Sequence, residues 1–188
     1  MLEYIEEIEI RKETDHTGKG LLYTVLSNKK GIGSIEEIPS DSPWNWFLKV
    51  FTLRQAVSRE LHLHLPNGPN TSIDKDRGYY KDIFLYSASE LIGTIKSEVK
   101  VKSPKMTVVD TRGSTIMQAL GKYGATDFSV YGVESVHRVG TIKKRSAVYQ
   151  SMKDNLLNED HYFLDVRHLS YEEKVVMIGM TLALDLYY

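Results

Sequence analysis

Residues 170–188 read SYEEKVVMIGMTLALDLYY, and in the ten positions from Val175 to Leu184 only Thr181 carries a polar side chain. Ser170 followed by Glu173 is a capping-box pattern, in which each side chain can satisfy the other residue's unpaired backbone N–H. Glu172 and Glu173 also sit well against the positive end of a helix dipole. A helix is therefore predicted over residues 171–186, and its middle is apolar on every side. Such a helix must be buried. A simple bilayer span needs about 18 to 20 apolar residues, so ten point instead to the inside of a protein.

The wall around that helix has to come from the rest of the chain, and residues 1–169 read mostly as strands. Three stretches share one pattern: YTVLSNKKGIGSIEEI from Tyr23, IFLYSASELIGTIKSEV from Ile83 and FSVYGVESVHRVGTIKKR from Phe128. Each alternates through an aromatic residue, breaks at a polar turn and returns through Gly-Ser-Ile or Gly-Thr-Ile, as an antiparallel hairpin does. Gly33, Gly93 and Gly140 of these returns suit a bulge or bend. Leu61, Leu63 and Leu65 alternate with Glu60, His62 and His64. KMTVVD at 105–110 and HYFLDVRHL at 161–169 have the same character.

Two passages read ambiguously. In residues 42–60, Ser42 and Pro43 could open a helix with Trp44, Phe47, Leu48 and Phe51 on one side, yet Trp44, Trp46, Leu48 and Val50 also fit one face of a strand. A strand is the reading taken for the first half. Residues 114–124 divide in the same way, with a short helix from Ile116 competing against a strand. At about 14 residues per strand and connection, residues 1–169 supply about 12 strands. The expected fold is a single mainly β domain over residues 1–188. It is an antiparallel closed barrel of about twelve strands around the buried C-terminal helix.

The segments GTIKKR and DHYFLDVRHLSYEEKVVMIGMTLALDLYY resemble the C-terminal end of phospholipid scramblases and LURP-one-related proteins, members of the tubby C-terminal-like superfamily. Lys174 to Asp185 carries the most specific part: a Lys, a Val-Met-hydrophobic-Gly step, an apolar run and an Asp. The resemblance implies a twelve-stranded barrel around a hydrophobic C-terminal helix. It also implies contact with lipid, because tubby proteins bind phosphoinositide headgroups through basic residues. Scramblases carry a Ca²⁺-binding acidic loop before the helix. Aligned without gaps from Lys174, the first and last acidic positions of that loop fall here on Leu157 and His168, and Glu159 alone matches. Calcium binding is not expected on this pattern.

Composition narrows the function classes. A net charge of −1 gives no general attraction for nucleic acid. The chain has no cysteine, which rules out disulfides, thiolate metal sites and a cysteine nucleophile. Residues 1–13 alternate apolar and acidic side chains and lack the pattern of a secretion signal, so a cytoplasmic location is expected. His62 and His64 share a strand face without an evident third ligand, and a metal site is not expected. Asp74 to Asp82 begins like a calcium loop, but its Gly78 is one place early for an EF-hand and Asp74 and Asp76 read as turn formers. With no nucleophile elbow and no phosphate-cradling loop, no catalytic residues and no cofactor are assigned.

The remaining candidates are cations. Lys96, Lys100, Lys102 and Lys105 read as one return strand, and Arg138, Lys143, Lys144 and Arg145 occupy the matching part of the third repeat. If those strands are neighbours, Lys100, Lys102, Lys105, Arg138, Lys143, Lys144 and Arg145 form one headgroup-binding patch. Trp44, Trp46 and Phe47 are expected in the core, with a membrane interface as the competing place for them. The function read from sequence is a non-enzymatic module at the membrane periphery that binds anionic phospholipid or phosphoinositide headgroups. A protein-interaction module without lipid is the alternative, and scramblase-like lipid flipping is third.

Overall fold

The structure is a computed structural model that describes residues 2–13, 20–40, 42, 44–45, 48, 54–66, 68–98, 102–122, 126–133, 137–146 and 160–187. Twelve strands form a closed antiparallel barrel: β1 (Glu7–Glu13), β2 (Leu22–Ser27), β3 (Lys30–Glu37), β4 (Arg59–His64), β5 (Thr71–Lys75), β6 (Ile83–Ser87), β7 (Glu90–Glu98), β8 (Lys105–Val109), β9 (Thr115–Gly121), β10 (Asp127–Gly132), β11 (Arg138–Ser146) and β12 (Asp160–Asp165). Each strand pairs with the next in sequence, and β12 closes on β1 through pairs such as Ile8↔Leu164 and Ile10↔Tyr162. Closure leaves no sheet edge to aggregate. The helix α1 (Tyr171–Tyr187) runs through the middle.

Alternation decides which side chains line the interior. Ile8 and Ile10 of β1, Leu61 and Leu63 of β4, Ile83 and Leu85 of β6, and Met106 and Val108 of β8 all lie within the barrel and are almost fully buried. Every residue of α1 from Lys174 to Leu184 is buried against them. Each aliphatic side chain so enclosed contributes about 1.5–3 kcal/mol. The capping box forms as expected: Glu173 N–H donates to Ser170 Oγ (3.3 Å) and Ser170 N–H to Glu173 Oε2 (2.8 Å). The one hydroxyl in the apolar run, Thr181 Oγ1, donates to the Met177 carbonyl at 2.9 Å and so needs no partner from the wall.

The threefold echo has a structural cause. In β2–β3, β6–β7 and β10–β11 the register shifts at the same place, just after Val25, Leu85 and Val130, and those residues pair with Gly33, Gly93 and Gly140. What demands glycine is the following strand. A Cβ on Gly33 would collide with the His64 carbonyl of β4, and one on Gly140 would lie 2.6 Å from the Asp165 carbonyl of β12. At Gly93 the nearest atom would be Val108 Cγ1 at 3.0 Å, with the Val109 carbonyl at 3.4 Å.

Two expectations are corrected and one open reading is decided. Trp44, Asn45 and Leu48 are helical rather than extended. The turn directs Asn45 inward, where Nδ2 reaches Ser58 Oγ at 3.0 Å, and leaves Trp44 63% exposed instead of in the core. Trp46, Phe47 and Phe51 lie outside the described residues. The passage from Ile116, open between strand and short helix in the sequence, forms strand β9. Asp74 belongs to β5, so the turn begins only at Asp76.

Gly33→Ala and Gly140→Ala should each lose about 1–3 kcal/mol of stability in urea titrations, because a backbone carbonyl cannot move aside. Gly93→Ala should lose less, since the Val108 side chain can rotate.

Candidate functional site: the long-loop rim of the barrel

The strand directions separate the connections into two sets. At the end where α1 begins they are short: residues 28–29, 65–70, 88–89, 110–114 and 133–137. At the end where α1 finishes they include residues 14–21, 38–58, 76–82, 99–104 and 147–159. Long connections on a rigid scaffold are where binding residues concentrate.

Inside this rim the barrel is closed by ions. Asp185, near the end of α1, accepts from Lys12 Nζ at 2.6 Å, Tyr23 OH at 2.7 Å and Tyr162 OH at 2.7 Å. Burial alone would raise the Asp185 pKa, but the Lys12 ammonium and the three hydrogen bonds outweigh it and hold the carboxyl below the usual range. Burial, reinforced by the Asp185 charge, pushes both phenols well above their ordinary value. Arg59 and Glu37 form a buried pair at 2.6 Å, and Glu37 also accepts from the Leu21 N–H. Lys75 is buried with its ammonium donating to the carbonyls of Val57 (3.2 Å), Asp76 (3.2 Å) and Gly78 (2.9 Å). Burial, with Arg59 alongside, pushes Lys75 down to about 8.

At the opposite end Lys174 plays the matching part. Its Nζ donates to the carbonyls of Leu2 (3.0 Å), Glu3 (2.7 Å) and Ile5 (2.8 Å), so a buried ammonium holds the N-terminal turn onto the start of α1. Sequence reasoning assigned no partners to Lys174 or Asp185. The available signal was a lone charge at each end of an otherwise apolar run.

The cationic candidates are redistributed. β7 and β11 are separated by β8, β9 and β10, so the two basic segments do not share neighbouring strands. The return strand β7 ends at Glu98, and Lys102 belongs to the connection before Pro104, a residue without an N–H for the ladder. Lys105 opens β8 and lies 3.9 Å from Glu98. Lys100 lies outside the described residues. On β11 Lys143 and Arg145 face outward and are exposed, while Lys144 turns inward to Asp160 at 2.9 Å and lies 5.6 Å from the Tyr162 ring centre. Arg145 lies 3.1 Å from Asp127. Arg138 starts β11 at the short-turn end, five residues from Lys143 and so about 16 Å along the strand. It is therefore not part of the same surface.

Although not adjacent, Lys102, Lys105, Lys143, Lys144 and Arg145 all belong to the long-loop end. Exposed Arg77, Lys81 and Lys122, which the sequence analysis did not select, stand there too. So do the exposed aromatic side chains of Trp44, Tyr79 and Tyr80. Among the described residues no three His, Asp or Glu side chains are placed to hold a metal ion. The His62 and His64 rings are 6.2 Å apart, and His62 is engaged with Glu60 at 2.7 Å. A groove of about 360 Å³ between Ser34, His64 and Asn70 opens at the other end. No helix among the described residues is long and apolar enough to cross a membrane. Compared with protein-family models, curated proteins and solved structures, the chain matches none.

The ionic closure predicts a pH response with a definite sign. Tyr23 and Tyr162 titrate higher folded than unfolded, so the stability they supply is complete below about pH 10 and falls as pH rises beyond it. Asp185, depressed in the fold, loses its contribution as pH drops below about 4. Tyr162→Phe should cost about 1.5–3 kcal/mol at neutral pH, the value of a hydrogen bond to a charge. It should also flatten the alkaline limb of a plot of urea midpoint against pH.

Proposed function

We propose that the protein is a non-enzymatic barrel of the tubby-like kind that binds anionic phospholipid headgroups peripherally, from the cytoplasm, through its long-loop rim. The observation that carries this reading is the gathering of the exposed cations Arg77, Lys81, Lys102, Lys122, Lys143 and Arg145 at one end of the barrel, together with three exposed aromatic side chains. Each cation near an anionic surface adds about 1 kcal/mol. Acidic neighbours temper the field, since Glu98 and Asp127 lie beside Lys105 and Arg145. Exposed pairs of this kind are weak and can exchange one carboxylate for a phosphate.

The filled interior supports the same reading. With α1 occupying the barrel, the interior offers no room for a ligand, and recognition has to happen on the outside. A second reading, a protein-docking module, is favoured by Phe163, which is 43% exposed on the outer wall of β12 between Glu9 and Lys143.

Co-sedimentation separates the two. The protein should pellet with vesicles of phosphatidylcholine and phosphatidylserine but not with phosphatidylcholine alone. Binding should fade as salt shortens the Debye length from about 10 Å at 0.1 M to about 3 Å at 1 M. Lys143→Glu combined with Arg145→Glu should weaken it at least about tenfold. Equal partition into both vesicle types, with a protein partner retained in high salt, favours docking instead.

A further inference from the structure

The connection between β5 and β6 combines exposed aromatic rings with a backbone fixed from beneath. Its residues 76–82 read DRGYYKD. Tyr79 is 50% and Tyr80 45% exposed, with their ring centres 6.3 Å apart. Arg77 Nη2 donates to Ser42 Oγ at 3.1 Å and Asn45 N–H to the Ser42 carbonyl at 3.0 Å. Those bonds bring the helical turn bearing Trp44 beside the connection.

Four hydrogen bonds hold this turn. Lys75, buried below it, donates to the Asp76 and Gly78 carbonyls, and Gly78 N–H donates to the Ala56 carbonyl at 2.9 Å. Tyr187, in the last turn of α1, donates its hydroxyl to the Lys81 carbonyl, and its ring lies 6.1 Å from that of Tyr80. Tyr80 itself is kept at φ +52°, a left-handed conformation that bulky side chains seldom adopt. Strain of that kind persists where the surroundings over-determine the backbone. The rings are thus presented to solvent in a fixed arrangement, and little ordering remains to be done on binding.

The residue types indicate the occupant. Tyr and Trp join an apolar body to a polar tip, which suits the headgroup layer of a bilayer rather than its hydrocarbon. Asp76 and Asp82 balance Arg77 and Lys81 locally, so this turn supplies apolar area while the attraction comes from the wider rim. That rim is large: β6 and β11 are five strands apart in a ring of twelve, about 20 Å across. A single headgroup cannot meet Tyr79 and Arg145 together, whereas an extended anionic surface meets both.

We propose that the β5–β6 turn is the point of entry of the barrel into an anionic bilayer surface, with Tyr79, Tyr80 and Trp44 seated among the headgroups. This rests on the lipid-binding reading above. Because the chain has no cysteine, Tyr79→Cys can carry one environment-sensitive nitrobenzoxadiazole probe, and Val133→Cys, an exposed position at the opposite end, provides the control. With phosphatidylcholine–phosphatidylserine vesicles the probe at 79 should shift to the blue and brighten, and the probe at 133 should not move. Tyr79→Ser should weaken vesicle binding by about tenfold, the effect of losing roughly half a tyrosine's apolar area from the interface. Pelleting of the wild-type chain with an unmoved probe at 79, or a shift at 133 instead, overturns the entry point and leaves lipid binding standing. A wild-type chain that does not pellet overturns both.

Discussion

Enclosing α1 forces a choice at each of its ends, because a helix that is apolar through its middle still has to emerge from a closed sheet. Lys174 and Asp185 stand at these two exits, and both are buried charges that would be very costly if left unpaired. Lys174 is met by three carbonyls of residues 2–5, just before β1. Asp185 is met by Lys12 of β1, Tyr23 of β2 and Tyr162 of β12. Every partner lies along the seam where the first strands of the chain meet the last. Joining that seam closes the longest loop in the molecule, a step whose entropy cost local contacts cannot offset. The helix is therefore both the filling of the barrel and the clasp of its most distant pairing.

Much of this architecture was legible in the sequence for reasons that are local. A capping box and an unbroken apolar run locate α1 to within a residue, and period-two alternation counts the strands. The glycine echo was legible as a pattern but not in its cause. Gly140 is required by a carbonyl of β12, some 25 positions away in sequence, and only strand order brings the two together. The surface site failed in the same manner. Alternation states that Lys143 and Arg145 share a face, yet it cannot state that β8, β9 and β10 lie between β7 and β11, or that Arg138 and Lys143 stand well apart along one strand. Trp44 misled because its spacing with Trp46 and Leu48 fits a strand as well as a helical turn. The buried amide of Asn45, bonded to Ser58, fixes which of the two forms.

The two ends of the barrel differ in what their loops are asked to do. Two of the short connections are two-residue hairpin turns with both central residues at positive φ, Asn28–Lys29 and Ala88–Ser89, the geometry that matches the twist of paired strands. The other end carries the long connections, and three of its inward cations are paired with acids, Lys12 with Asp185, Arg59 with Glu37 and Lys144 with Asp160, while Lys75 is held by carbonyls. Pairing the inward charges has an outward consequence. With most inward charge paired, the field beyond the barrel comes mainly from the exposed Arg77, Lys81, Lys102, Lys122, Lys143 and Arg145 and from the acids between them.

The same economy links the helix to the β5–β6 turn. Tyr187 lies one turn past the last wholly apolar stretch, and its hydroxyl has to find an acceptor once the ring is buried. The acceptor it finds is the Lys81 carbonyl, in the segment that displays Tyr79 and Tyr80. Lys75 reaches the same segment from the strand beneath. Both are polar groups buried for the sake of the core, and both discharge their hydrogen bonds on one exposed turn. The rigidity of that turn is thus a by-product of satisfying the interior, and any loosening of the end of α1 is transmitted directly to the aromatic surface it supports.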